Sequence, residues 1–397
     1  MDKSINYNLM RKFRADYVFP VNADPIKNGI VTVDNTGKIL ALDDGQNHTD
    51  KDIERLEGVI CPGFINTHCH VELSHLKNKI APLGGLINFI KDVQTHRNVD
   101  EDVVMAAASA ADEEMYNNGI VAVGDIANSA VTIPVKKKSK LYYHNFIEVF
   151  GFTPDKAQTI FDNALSLRDQ YKPMPCSITP HAPYSVSKEL FKLIHRLSEK
   201  HPNLISMHNQ ETEEENKFYR YKMGRFLDLY KSFNIDISFF KPQARNSVQT
   251  TVPLLTSKQN ILLVHNTFTN LKDIYFVKRF DRKINWCFCP NANLYIEGRL
   301  PKIELFLDKG FNITLGTDSL ASNHRLCLLS EMHVLQKNFP DITLQQVLQW
   351  GTLNGAKFLG IDDEKGSIEV GKTPGLNLLT GLDGLTITSD TKVKRLV

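Results

Sequence analysis

The sequence predicts an α/β fold in which eight parallel strands alternate with helices and close into a (β/α)8 barrel. Eight short apolar runs, typical of strands buried on both faces, recur along the middle of the chain. Helical patterns separate most of these runs, which indicates a parallel sheet, and eight such units favour a closed barrel over an open sheet. Further β-like segments at both ends of the chain predict a small β-domain beside the barrel.

The eight barrel strands are predicted where apolar residues run with little interruption. They span residues 64–67, 119–124, 141–150, 176–179, 204–207, 261–264, 284–288 and 311–315. The helices are predicted from apolar residues at helical spacing, as at Leu86, Phe89, Ile90 and Val93. They span residues 84–97, 100–117, 155–170, 187–199, 216–233, 271–279, 302–309, 327–338 and 344–359.

The two ends of the chain are expected to fold together. Short strands are predicted at 15–20, 29–33 and 38–42, with a hairpin turn signal at Asn35-Thr36-Gly37, and again at 365–372, 376–379 and 393–397. We therefore predict a domain organisation of three segments. Residues 1–60 and 362–397 form the small β-domain, and residues 61–361 form the barrel.

Composition excludes several classes of protein. Basic and acidic residues nearly balance at 47 and 45, for a net charge of +2, so no nucleic-acid partner is expected. The longest basic run, Lys136-Lys137-Lys138, is predicted to be a solvated loop. No apolar run reaches the roughly 18 residues that a membrane-spanning helix needs. The first residues lack an apolar signal segment, and six cysteines read as reduced thiols, so a cytoplasmic location is expected.

Polar residues gather where the predicted strands end. In a barrel of this kind, chemistry is carried at the carboxyl ends of the strands. Five of the 13 histidines and one aspartate follow strands directly: His68, His70, His181, His208, His265 and Asp318. A single histidine at a strand end could be a packing residue. The joint placement on one face predicts a site.

Residue types at these strand ends predict a metal centre. Neutral imidazoles together with a carboxylate suit zinc, and iron accepts the same ligands. The expected ligands are His68, His70, His208 and Asp318. A metal in this shell would lower the pKa of a water molecule and make it nucleophilic. Two-metal sites of this type commonly carry a lysine after the fourth strand; Thr179-Pro180-His181 stands there, so one metal ion is expected.

Two further residues are predicted to handle protons. Glu211 lies three residues after His208 and can take a proton from water and pass it to the substrate. Alternatively, Glu211 is a carboxylate favoured by a helix N-terminus, although that explanation suits Glu213–Glu215 better. His265 can orient the nucleophile or polarise the substrate.

Six motifs in this order resemble the amidohydrolase superfamily. They are PGFINTHCH, PHAPYS, HNQE, LVHN, CPNAN and GTDSLASN, and the resemblance covers about the whole chain. It is strongest to the mononuclear deaminase branch, which includes cytosine, guanine, adenosine-type and aminodeoxyfutalosine deaminases and the triazine chlorohydrolases. The resemblance implies a distorted barrel with a β-sandwich built from both chain ends. It also implies the same ligand set, with the proton chemistry on Glu211 and His265 and a second proton accepted by Asp318.

Substrate selection is expected to depend on residues beyond the metal shell. The segment HCHVELS resembles aminodeoxyfutalosine deaminases of menaquinone biosynthesis, and GTDSLASN fits both these and adenosylhomocysteine-type deaminases. The resemblance implies that His181 contacts a nucleoside sugar. Glu72 is predicted either to bind substrate or to form a loop salt bridge. Arg299 and Arg325 are candidates for a substrate carboxylate and could equally be surface residues.

These observations predict a hydrolytic deaminase of an aminopurine-type nucleoside or base, acting on a small molecule. The alternative is a chlorohydrolase or cyclic-amide hydrolase of the same superfamily, with the same metal and acid. A non-catalytic barrel scaffold would have lost ligands, and all four predicted ligands are present. A homodimer is expected because two-fold dimers are the commonest oligomers.

Overall fold

A computed structural model gives the structure of the chain for residues 10–45, 52–307 and 310–397. The described residues group into two compact units. The first unit combines the residues up to 65 with 115–121 and 327–397. The second unit comprises 66–114 and 122–326.

The strands alternate with helices through most of the second unit. The described strands are β1 (Arg11–Val18), β2 (Ile26–Lys27), β3 (Ile30–Val33), β4 (Ile39–Asp43), β5 (Glu54–Pro62), β6 (Phe64–Cys69), β7 (Ile120–Ala127), β8 (Tyr142–Val149), β9 (Cys176–Pro180), β10 (Ile205–Asn209), β11 (Asn260–His265), β12 (Lys283–Phe288), β13 (Asn312–Leu315), β14 (Leu376–Thr380) and β15 (Lys392–Arg395). Each of the eight predicted barrel strands corresponds to one of β6 to β13, with ends shifted by a few residues.

The helices follow the predicted pattern with some divisions. Those described are α1 (Leu86–His96), α2 (Glu101–Asn117), α3 (Ile133–Lys138), α4 (Ala157–Tyr171), α5 (Lys188–Lys200), α6 (Glu213–Tyr221), α7 (Phe226–Ser232), α8 (Ser247–Thr251), α9 (Leu271–Lys278), α10 (Pro290–Glu297), α11 (Glu304–Leu307), α12 (Leu328–Asn338), α13 (Leu344–Trp350) and α14 (Leu353–Leu359). Among the helices in the described ranges, none combines the length and apolar character needed to cross a membrane.

The first unit contains a seven-stranded sheet to which both ends of the chain contribute. Its order is β15-β14-β5-β1-β3-β4, with β2 paired to β1. The C-terminal strand β14 runs antiparallel to β5, so Leu378 lies opposite Ile60. Phe13, Val31 and Ile60 are fully buried in the core beside this sheet.

The strands β6 to β13 form two four-stranded sheets. Their orders are β6-β7-β8-β9 and β10-β11-β12-β13. β7 is buried along its whole length, as expected for a strand covered on both faces. At one seam between the sheets, the His208 amide donates to the His181 carbonyl oxygen over 2.9 Å. At the other seam, a parallel bridge joins Cys69 and Asp318.

Three sequence predictions about helices and strands were wrong. The helix predicted over 216–233 is two helices, α6 and α7, because Lys222 and Gly224 adopt left-handed φ angles of 52° and 95°. The helix predicted over 344–359 is likewise divided into α13 and α14. The segment 365–372 forms turns and no strand, with left-handed backbone at Gly366 and Gly371. Of the helix predicted over 302–309, residues 308–309 lie outside the described residues.

The run Lys136–Lys138 was predicted to be a solvated loop, and this prediction was wrong. The run ends helix α3, and the side chain of Lys136 is buried. The Lys136 ammonium lies 2.5 Å from Asp125 Oδ2 and donates to Asn145 Oδ1 over 2.8 Å. Asp125 Oδ1 accepts the Val71 amide over 2.8 Å. This buried ion pair therefore ties α3 to β7 and to the backbone that follows His70.

Replacing one partner of this pair should be costly. We expect Lys136→Met to lower the free energy of unfolding by about 3 kcal/mol, because it leaves the Asp125 carboxylate buried without its counter-ion. Lys137→Met, at the exposed neighbouring position, should change it by less than about 0.5 kcal/mol. Urea denaturation measures both. Equal stability of the two variants would show that the ion pair does not hold this region.

Candidate active site

Four predicted ligand side chains converge at the ends of three strands. His68 and His70 lie at the end of β6, His208 lies in β10, and Asp318 follows β13. His70 Nε2 is 3.1 Å from His68 Nε2 and 3.2 Å from His208 Nε2. Asp318 Oδ1 lies 3.4 Å from His70 Nε2 and 3.9 Å from His68 Nε2. The structure thus brings together all four residues that the sequence proposed as ligands.

The three imidazoles are held in their neutral form. Burial and the neighbouring imidazoles lower the pKa of His70 and of His208 to about 3, and they lower the pKa of His68 well below its ordinary value. Neutral histidine is the form that binds a metal ion. Nitrogen lone pairs that point at one another are unfavourable without a cation between them, so this donor set fits a divalent ion.

The orientation of His208 is fixed by its second ring nitrogen. His208 Nδ1 donates to the His181 carbonyl oxygen over 2.9 Å, which leaves the lone pair on Nε2 facing the site. Glu148 Oε1 lies 3.5 Å from the same Nδ1. The sequence analysis gave Glu148 no role, and the structure places its buried carboxylate beside the His208 ring.

Asp318 is prepared in a similar way. Ser322 Oγ donates to Asp318 Oδ2 over 2.6 Å, so Oδ1 is the oxygen nearest the histidines. The Asp318 amide donates to the His68 carbonyl oxygen over 3.1 Å, and its φ of 57° is left-handed. A residue with a Cβ adopts this backbone only where surrounding contacts impose it.

The predicted proton-handling residues face each other beside the ligands. Glu211 Oε1 lies 3.8 Å from His265 Nε2. Burial, together with the charge of Asp318, raises the pKa of the Glu211 carboxyl well above its ordinary value. His265 Nδ1 donates to Asn293 Oδ1 over 2.9 Å, so Nε2 carries a lone pair. The raised pKa makes the Glu211 carboxylate a better proton acceptor, and the lone pair of His265 faces it.

A cavity of about 410 Å³ opens over these residues. His70, Glu148, His208, Glu211, His265 and Asp318 all line it. Its other lining side chains are largely apolar and aromatic, and they include Phe89, Phe150, Phe152, Tyr230 and Phe233. The cavity thus joins a polar, ligand-bearing region to an apolar one.

The predicted substrate-binding residues have different locations. His181 lines the cavity, and burial lowers its pKa to about 4. Arg299 and Arg325 are exposed and do not line it, so their expected contact with a substrate carboxylate has no support in this cavity. Arg299 instead lies over the Phe268 ring at 4.9 Å.

Arg97 is the cavity-lining arginine that the sequence analysis missed. Its Nη2 lies 3.5 Å from Glu72 Oε1, and Glu72 Oε2 accepts from the Asn128 amide and the Ser129 hydroxyl. Glu72 itself is buried and does not line the cavity, in agreement with its alternative explanation as a salt-bridge residue. The sequence carried no signal for Arg97, because its place in the cavity depends on how α1 packs, and the apolar residues of α1 line the same cavity.

Comparisons with known proteins show which family and which relatives this chain resembles. The sequence model described as "Amidohydrolase family" matches residues 59–395. The chain is 27% identical over 326 residues to the adenosine deaminase of Helicobacter pylori, covering 81% of this chain and 78% of that protein.

Two solved structures share the fold. Helicobacter pylori aminofutalosine deaminase in complex with methylthio-coformycin superposes with a TM-score of 0.82 at 23% identity, covering 98% of this chain and 100% of that chain. An adenosine deaminase from Xanthomonas campestris with bound zinc gives a TM-score of 0.72 at 22% identity, covering 96% of this chain and 86% of that chain.

Gly316 offers a test of the metal centre that leaves every ligand in place. A Cβ at Gly316 would lie 2.8 Å from His68 Cβ and 2.9 Å from the His68 carbonyl oxygen. Gly316→Ala should therefore displace His68 from Asp318 and weaken zinc binding by about 10-fold or more, as measured by competition with a chromophoric chelator.

Gly84→Ala is the matched control. A Cβ at this exposed glycine would make only ordinary contacts, the nearest at 3.6 Å from Asn88 Cβ. Its zinc affinity should equal that of the unmodified chain. Unchanged zinc affinity in Gly316→Ala as well would mean that the close approach of the strand ends does not set the metal site.

Proposed function

Because the chain belongs to the amidohydrolase family, we propose that it is a metal-dependent hydrolytic deaminase of an aminopurine nucleoside. The observation that carries the proposal is the placement of buried Glu211 beside His265 and the convergent ligands, at the end of a cavity large enough for a nucleoside. Relatives named as adenosine deaminase and aminofutalosine deaminase support the substrate class.

One divalent metal ion, with zinc favoured and iron accepting the same ligands, would be held by His68, His70, His208 and Asp318. When bound, the metal ion would lower the pKa of a water molecule and so supply the nucleophile for the amino-bearing ring carbon. The zinc-bound structural relative supports this choice of metal.

The side chains of the chain would then move the protons. Glu211 takes a proton from the attacking water and delivers it to the adjacent ring nitrogen, which makes the ring carbon electrophilic. Asp318 accepts the second proton from the added hydroxyl group and passes it to the amino group, so that the tetrahedral intermediate collapses and ammonia leaves. His265 Nε2, whose ring is oriented by Asn293, stabilises the charge that develops on the substrate.

The shape of the cavity supports a nucleoside with an extended, apolar sugar substituent. Phe150, Phe152 and Phe233 line the cavity, and Arg97 supplies a cation to it. His181, which also lines the cavity, is suited to a sugar hydroxyl. An aromatic carboxylate attached to the sugar, as in 6-aminodeoxyfutalosine, would satisfy both the apolar surface and the guanidinium, so a step of menaquinone biosynthesis is the preferred assignment.

The same proposal includes the expected architecture, cellular location and oligomeric state. The bonds at the two seams between the four-stranded sheets support a closed, distorted barrel. The sheet shared by both chain ends supports a small terminal β-domain, with boundaries near residues 60 and 362. Six free cysteines are consistent with the expected cytoplasmic location, and a homodimer remains the expected assembly.

A substrate panel tests the reaction class. The metal-loaded protein should release ammonia from at least one of adenosine, 5′-methylthioadenosine, 6-aminodeoxyfutalosine, guanine and cytosine. Glu211→Gln should lower kcat by about 1,000-fold because it removes the proton shuttle, whereas Glu213→Gln, at an exposed position of α6, should keep native activity. Absence of ammonia from every substrate would contradict the proposal. Chloride release from a triazine would favour the chlorohydrolase alternative.

Arg97 allows a separate test of the substrate class. Arg97→Met should raise KM for 6-aminodeoxyfutalosine by about 10- to 100-fold, because a charge-assisted hydrogen bond is lost. KM for adenosine, which has no anionic substituent, should change little. Arg299→Met is the control and should affect neither substrate. If Arg97→Met raised both KM values equally, the guanidinium would not be recognising an anion.

A further inference from the structure

Gln210, the residue immediately before Glu211, forms hydrogen bonds through its backbone and through both the nitrogen and the oxygen of its side-chain amide. Its amide donates to Glu215 Oε1 over 3.1 Å, and its carbonyl oxygen accepts the Phe268 amide over 2.9 Å. Its side-chain Nε2 donates to Asp273 Oδ2 over 3.0 Å, and its Oε1 accepts the Thr269 hydroxyl over 2.7 Å. The side chain is fully buried, so these bonds form away from water.

Asp273 is the centre of this group of amides. It is fully buried at the start of α9, where its Oδ2 also accepts the Asn270 amide over 3.1 Å. Asn246 Nδ2 donates to Oδ2 over 2.7 Å, and Gln249 Nε2 donates to Oδ1 over 2.8 Å. A buried carboxylate that is satisfied by several fixed donors has little freedom to move. The Gln210 side chain is therefore hydrogen-bonded to a carboxylate whose position is fixed.

The same polar layer reaches His265. Asn209 Nδ2 donates to Asn266 Oδ1 over 2.9 Å, and the Asn266 amide donates to the Asn209 carbonyl oxygen over 3.0 Å. Asn209 precedes Gln210, and Asn266 follows His265. The ends of β10 and β11, which carry Glu211 and His265, are thus joined by side chains that belong to neither the ligand set nor the cavity lining.

The backbone at these positions needs such support. Gln210, His265 and Asn266 have left-handed φ angles of 47°, 72° and 57°. This conformation is unfavourable for a residue with a Cβ, and without the surrounding bonds the backbone would relax toward a commoner region. Relaxation at Gln210 would reorient Glu211, the next residue.

We propose that Gln210 and Asp273 are positioning residues for proton transfer, because they fix the backbone that aims Glu211 at the substrate ring beside His265. This inference rests on the proposed function. A carboxyl that shuttles a proton must stand within hydrogen-bond reach of both the donor and the acceptor. A displacement of about 1 Å can cost roughly 100-fold in rate, so the effect of losing this support should fall on kcat.

The test compares two buried glutamines. Gln210→Met keeps the length of the side chain and removes its hydrogen bonds. Gln336→Met does the same at a buried glutamine in the first unit, where Gln336 bonds the Ile342 carbonyl oxygen and the Ile387 amide. Both variants should lose similar thermal stability. Measurements on the zinc-loaded full chain are kcat and KM for the best substrate of the panel, zinc content, and calorimetric affinity for methylthio-coformycin.

We expect Gln210→Met to lower kcat by about 10- to 100-fold with KM changed by less than about threefold. Its affinity for methylthio-coformycin should fall by about the same factor as kcat. A transition-state analogue is held by the interactions that stabilise the transition state, so the loss of those interactions lowers both quantities. Zinc content should stay native. Gln336→Met should keep native kcat and analogue affinity.

Native kcat and analogue affinity in Gln210→Met would overturn the inference, as would equal losses in Gln336→Met. If Gln210→Met fails to fold, Thr269→Val is the second variant, because it removes only the donor to Gln210 Oε1. Thr269→Val should lower kcat in the same selective way. Native kcat in Thr269→Val would then overturn the inference. Failure of the proposed function is distinguishable, because the unmodified protein itself would then release no ammonia.

Discussion

The structure depends on one local constraint, which is the convergence of three imidazole nitrogens: His70 Nε2 lies 3.1 Å from His68 Nε2 and 3.2 Å from His208 Nε2. Neutral imidazoles that turn their lone pairs towards one point suit a divalent cation, which can accept all of them. The fold produces this convergence by ending three strands at one point. The close approach of Gly316 to His68 and the left-handed backbone at Asp318 are conditions for that meeting.

Burial gives these groups their chemistry. The same exclusion of water lowers the pKa values of the histidines and raises the pKa of Glu211, so the histidines can bind a metal and the Glu211 carboxylate accepts a proton more readily. Other buried polar groups in the second unit are also paired, Lys136 with Asp125 and Asp273 with the amide of Asn246.

Sequence reasoning succeeded where the information was local. The eight strands and the residues that follow them could be predicted because parallel strands place their carboxyl ends on one side, and the four residues proposed as ligands meet there. It failed where the answer depended on which helix packs against which strand. Arg97, Glu148 and Lys136 gave no periodic or spacing signal, whereas Arg299 and Arg325 follow strands and lie outside the cavity. The division of the helix at Gly224 depended on backbone angles that composition does not reveal.

The most direct test of the account is the origin of the oxygen in the product. If water activated beside His68, His70, His208 and Asp318 attacks the ring carbon, reaction in ¹⁸O-labelled water should place one ¹⁸O atom in the product ring for each ammonia released, as measured by mass spectrometry. Ammonia release without ¹⁸O in the product ring would contradict hydrolytic deamination at this site.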